Sequence, residues 1–141
     1  MKQGLLGELR AREAFVRRGI PVYVPLNPAD AADLVVLLPR GFQKVQVKTS
    51  GNYDAKSTTI RFQLMHKPSR TEAYRRYDDT EVDLFFLIDV VNGFEFLIPY
   101  DEVGGHYNIK LNYNNSAKSY RNAVRYSDDW VFGKVIEKYL V

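Results

Sequence analysis

Asp33, Gln46 and Lys48 have residue types and spacing that suit phosphate chemistry. In the stretch KVQVKT, Gln46 and Lys48 stand two apart, so in a strand both side chains leave by one face. Val45 and Val47 then take the other face, which is what a core needs. The polar pair needs a reason of its own. Asp33 opens the apolar run DLVVLL, and Pro39, Arg40 and Gly41 form a turn between the two runs. As hairpin neighbours, the two strands bring a carboxylate, an amide and an ammonium into one pocket. Hydrolysis of a phosphodiester calls for a divalent ion that polarises the phosphate and yields hydroxide near neutral pH. Mg2+ takes hard oxygen ligands and keeps several waters, so one or two carboxylates and a carbonyl suffice. Asp33 can supply the anionic ligand and Gln46 its side-chain oxygen. Lys48 can orient the attacking water or neutralise charge developing on phosphate. Asp30 is an alternative ligand, although a loop role suits it as well.

The elements that must position these residues follow from periodicity. Residues 3–18 are expected to form an amphipathic helix with Leu5, Leu9 and Val16 on its apolar face, closed by Gly19. Residues 21–25 are a short extended piece, and 28–32 a loop. Strands are expected at 33–38, 44–49 and 58–64, then a basic helix at 69–77. A buried strand at 83–91, an Asn92-Gly93 turn and a partner at 94–98 make a hairpin. Residues 107–111 read as one more strand. Ser127 is placed to cap a last helix carrying Trp130, Ile136, Tyr139 and Leu140. Helix, strands, helix, strands and helix predict an α/β fold with a mixed central sheet flanked by helices.

Composition narrows the classes. The 141 residues fit one domain, and 45% apolar content with 13% aromatics suits a packed core. No run of about 18 apolar residues predicts a membrane span, and the polar start does not resemble a secretory signal. The absence of cysteine excludes disulfides, zinc-thiolate fingers and cysteine nucleophiles, and fits a reducing cytoplasm. His66 and His106 are solitary, and Ser50 and Ser69 lack a His–Asp partner, so zinc and triad hydrolases have no support. The formal charge of +3 is mild, so the location of the charges carries more weight.

An apolar strand opening on Asp, a short turn and then V-Q-V-K-T resembles the PD-(D/E)XK nuclease superfamily. Asp33 takes the place of its aspartate, and Gln46-Val47-Lys48 takes the place of its (D/E)XK triplet, with Gln at the first position. The leading helix is similar too, with Gly4, Glu8 and a closing Gly19, as in resolvase-like members that set a helical Glu beside the metal. Within the superfamily the chain resembles the small homing endonucleases encoded in bacterial group I introns. The stretches VDLFFLIDVVNGFEFLIPYDEV and IKLNYNN share that likeness, so it spans most of the sequence. The resemblance implies a restriction-endonuclease-like core and Mg2+-dependent hydrolysis leaving 5′ phosphate and 3′ hydroxyl. It also implies a site of Glu8, Asp33, Gln46 and Lys48, with Glu8, Asp33 and Gln46 on the metal. Helix geometry alone does not separate Glu8 from Glu13; the resemblance selects Glu8.

Basic residues fall in two groups. Lys67, Arg70, Arg75 and Arg76 surround Tyr74 and Tyr77, and Lys110, Lys118, Arg121 and Arg125 surround Tyr113, Tyr120 and Tyr126. A solvated surface explains either group. The second is favoured for DNA, because residues 112–126 hold almost no acid; a DNA-contacting segment is expected at about 107–126. Lys56, Thr58, Arg61 and Gln63 lie on a strand that a major groove can admit. Sequence-specific cleavage of duplex DNA is the leading expectation. One site per chain then requires a homo-oligomer, a dimer or tetramer. A Holliday-junction resolvase or restriction-type nuclease shares the chemistry. The competing class is a non-cleaving DNA-binding module on a decayed nuclease fold, which Gln46 favours.

Overall fold

The computed structural model describes residues 3–67, 69–118 and 124–141. Its centre is a five-stranded sheet in the order β1-β2-β3-β8-β9. The strands are β1 (Val22–Tyr23), β2 (Leu34–Leu38), β3 (Gly41–Ser50), β8 (Leu84–Asp89) and β9 (Glu95–Pro99). A second sheet, in the order β10-β5-β4, joins β4 (Tyr53–Asp54), β5 (Thr59–Gln63) and β10 (Asn108–Asn112). A two-stranded ribbon pairs β6 (Met65–His66) with β7 (Arg75–Arg76). The helices are α1 (Gln3–Arg17), α2 (Tyr100–Val103) and α3 (Phe132–Tyr139).

The central sheet is mixed, as expected. β2 and β3 are antiparallel with Leu34 opposite Val45, whereas β3 and β8 are parallel with Val47 level with Phe86. All six residues of β8 are buried, because both of its faces are covered. On one face Val45, Val47 and Phe86 pack against Ala11 and Phe15 of α1 and Ile136 of α3. On the other, Phe85, Leu87 and Ile98 meet Phe62, Ile109 and Leu111 of the second sheet. Gln46 and Lys48 are level with Phe85 and Leu87, so they point toward that second layer.

Several expectations are corrected. α1 buries Gly7, Ala11 and Phe15 rather than its leucine row; Leu5, Leu9 and Val16 remain 46%, 42% and 59% exposed. Size decides this, not hydropathy. A Cβ at Gly7 would lie 2.6 Å from the Thr49 Cγ2, so only a bare backbone lets the helix lie that close to β3. Residues 69–77 are not helical; they end in β7, whose Arg75 lies opposite His66. Ser127 starts a short 3-10 turn, Ser127–Asp129, and α3 begins only at Phe132, with Val131 at its N-cap position and no side-chain cap. Gly19 ends α1 as expected, at a φ of 74° that favours glycine.

Candidate active site

Asp33 lies immediately ahead of β2. Its backbone N–H donates to the Val45 carbonyl at 2.9 Å, which continues the β2–β3 register and sets Asp33 opposite Gln46. Its carboxylate Oδ2 accepts the Val47 backbone N–H at 2.9 Å. That N–H stands where β2 has already stopped, so a side chain replaces the missing ladder partner. Gly7 holds α1 against Val47 and Thr49, and the next residue, Glu8, is near enough to Asp33 for its carboxyl to act on the Asp33 charge. The helical glutamate and the aspartate ahead of β2 are therefore neighbours. Glu13 instead pairs with Arg17 at 2.6 Å on an exposed flank, and Asp30 caps its own loop by accepting the Ala32 N–H at 2.9 Å.

Burial raises the Asp33 pKa well above the usual carboxylate range, and the neighbouring Glu8 carboxyl raises it further. The Val47 N–H and the Lys48 charge oppose this without cancelling it. Lys48 is half-buried, and burial lowers its pKa, with Asp33 acting the other way. Its Nζ donates to the Met65 carbonyl at 2.8 Å and lies 5.1 Å from the centre of the Tyr77 ring. Gln46 is only 8% exposed, and its Nε2 donates to the Val47 carbonyl at 3.2 Å. Gln46 is therefore not a solvent-facing strand residue.

Asp33, Glu8, Gln46 and Lys48 are thus gathered at one sheet margin. Among the described residues no group of three or more His, Cys, Asp or Glu comes together. Two carboxylates and one amide are all-oxygen donors, a set suited to a hard cation that keeps several waters and unsuited to zinc. Two neighbouring carboxyls, both half-buried, also favour a positive charge near them.

The basic residues divide. Arg61 and Lys110 are exposed and directly opposite each other on β5 and β10, flanked by the Gln63–Asn108 and Thr59–Asn112 pairs. The outward face of this ribbon is therefore polar and cationic, while Ile60, Phe62, Ile109 and Leu111 face inward. Lys56 is exposed in the turn between β4 and β5, and Lys118 is exposed. Arg121 lies outside the described residues. Arg125 donates from Nη2 to the Glu102 carbonyl at 3.1 Å, and its Nε is 3.7 Å from the Glu102 carboxylate. In the first basic group, Arg75 forms two 2.7 Å bonds to Glu81, and Arg76 donates to the Gly105 carbonyl and covers Tyr107. Sequence reading missed the Met65 carbonyl and placed Tyr77 only among aromatics in a basic surface. A backbone carbonyl leaves no mark in a sequence, and Tyr77 is brought in by a fold-level contact.

A family model described as PD-(D/E)XK endonuclease matches residues 1–133. The solved structure of a bacterial homing endonuclease, I-Ssp6803I, superposes with a TM-score of 0.70 at 18% identity, covering 96% of this chain and 92% of that one. No curated protein matches the sequence.

Proposed function

The chain belongs to the PD-(D/E)XK endonuclease family, and from that premise we propose that it cuts both strands of duplex DNA at a specific sequence, using Mg2+. The observation that carries this reading is the Asp33 carboxylate, held by the Val47 N–H opposite the buried Gln46, with Lys48 on the same face of β3.

Nucleases of this family generally use divalent metal ions. Asp33, Glu8 and the Gln46 amide oxygen would hold the ion here, and when bound it supplies charge that polarises phosphate and acidifies water. Gln46 suits that part because its nitrogen is already committed to the Val47 carbonyl. Lys48 holds a positive charge toward the phosphate and helps align the water. The water oxygen bonds to phosphorus and the bond from phosphorus to the 3′ oxygen breaks, leaving 5′ phosphate and 3′ hydroxyl. Arg61 and Lys110, with Lys56, Lys118, Arg121 and Arg125, make up the proposed DNA-contacting set. In it Arg61 and Lys110 carry most of the phosphate attraction, and the amides beside them suit base edges. One site per chain and two strands per target favour a homo-oligomer, a dimer or tetramer acting in the cytoplasm. Among the described residues no helix is long and apolar enough to cross a membrane.

Incubating the protein with a randomised duplex library, with and without Mg2+, tests this reading. Mg2+-dependent ends bearing 5′ phosphate, enriched for one sequence, are expected. Tight duplex binding with no cut ends at any Mg2+ concentration would instead identify a non-cleaving DNA-binding module. Preference for four-way junctions would identify a resolvase.

A further inference from the structure

We infer that Tyr77 is a positioning residue for Lys48, its ring forming the surface on which the ammonium rests while the Met65 carbonyl sets its direction. This rests on the role proposed for Lys48. Lysine carries its charge on a flexible four-carbon stem, so a lysine that must meet one phosphate oxygen needs outside constraint. Two are present, the 2.8 Å bond to the Met65 carbonyl and the Tyr77 ring 5.1 Å away. A cation over an aromatic face is held most firmly where water is scarce, and Tyr77 is only 4% exposed.

Both constraints come from one ribbon. Met65 of β6 lies opposite Arg76 of β7, and Tyr77 is the next residue. The tyrosine is itself fixed from several sides. The His66 ring lies 5.2 Å from it and the Phe85 ring 5.6 Å. Its carbonyl accepts the Tyr100 hydroxyl at 3.0 Å. The Arg75–Glu81 pair ties down the same end of the ribbon. Of the three ammonium protons, one is committed to Met65, and the ring closes off a second direction. The remaining direction is left for the site. The ribbon thus turns a mobile charge into an aimed one, and its tether from β5 links that aim to the strand whose outer face carries Arg61.

The ring, not the hydroxyl, carries this role, so phenylalanine should replace tyrosine. The test combines NMR of the Lys48 Cε protons with single-turnover cleavage at saturating DNA. In the wild-type protein those protons should resonate upfield of the exposed lysines, shielded by the ring face. Tyr77→Leu should abolish the upfield shift and slow cleavage roughly tenfold with DNA affinity unchanged, and Tyr77→Phe should restore both shift and rate. Lys48 protons resonating with the solvated lysines in the wild type would overturn the inference without any variant having to fold. So would a folded Tyr77→Leu protein that cuts at the wild-type rate. Full cleavage by Lys48→Ala would overturn the role of Lys48, while the upfield shift would still report whether the ring holds the ammonium.

Discussion

Asp33 and Asp89 are both carboxylates at strand ends of the central sheet, and their surroundings are opposite. Asp89, at the end of β8, accepts four hydrogen bonds. Its Oδ1 takes the Val91 and Asn92 backbone N–H groups at 2.8 and 2.9 Å. Its Oδ2 takes the Asn92 side chain at 2.7 Å and the Tyr113 hydroxyl at 2.6 Å. Burial would raise its pKa, but these donors together outweigh burial and hold it below the usual range. Asp33 has one backbone donor and another carboxyl as its neighbour, and its pKa is raised. A carboxylate that closes a turn is supplied with donors by the fold itself. One left short of them, beside a second carboxyl, is arranged for a partner that arrives from outside.

The contrast can be broken at either end. The largest effect is expected from Lys48→Ala. It should lower single-turnover cleavage by at least ~100-fold and leave duplex affinity nearly unchanged in a gel-shift titration. Equal losses of binding and cleavage would move Lys48 from the reacting phosphate to the general DNA surface.

At the other end, Asp89→Asn should cost about 2 kcal/mol of stability at neutral pH, because hydrogen bonds to a buried charge are lost. Cleavage by the folded variant should survive. The folded pKa of Asp89 is depressed, so its contribution is fully present above the unfolded value near ~3.9 and is lost as pH falls through the folded value. Urea unfolding of both proteins across the acid range should therefore show the gap narrowing below about pH 4. A gap that persists undiminished at low pH would mean that packing, not charge, is what the variant removes.

The smallest effect concerns the DNA face. Lys110→Ala or Arg61→Ala should make log K against log salt shallower by about one unit each, if each releases one counterion. Arg125→Ala should change the slope less, because that guanidinium is already engaged with Glu102. Equal slopes for all three variants and the wild type would place DNA on another surface.

Much of this was readable beforehand, for physical reasons. Alternation in KVQVKT set Gln46 and Lys48 on one face, and the short turn made Asp33 their neighbour, since hairpin pairing is local. The leucines of α1 point to one face, whereas the small Gly7 and Ala11 mark the face that packs against the sheet. Residues 69–77 read as helical because a basic, polar stretch has no apolar period to contradict a helix; pairing of Arg75 and Arg76 with His66 and Met65 makes the end of it a strand instead. The support of Lys48 by Met65 and Tyr77 depends on contacts across 17 and 29 positions of chain, and no local pattern encodes those.

Asp33→Asn tests the central claim most directly, because the amide preserves shape and can still accept the Val47 N–H. Without metal the variant should melt at or above the wild-type temperature, since one of two neighbouring carboxyls is gone. Mg2+ should raise the melting temperature of the wild type and not of the variant, and the variant should not cut DNA. Destabilisation like that of Asp89→Asn, with an unchanged response to Mg2+, would contradict the account and make Asp33 a turn-closing residue.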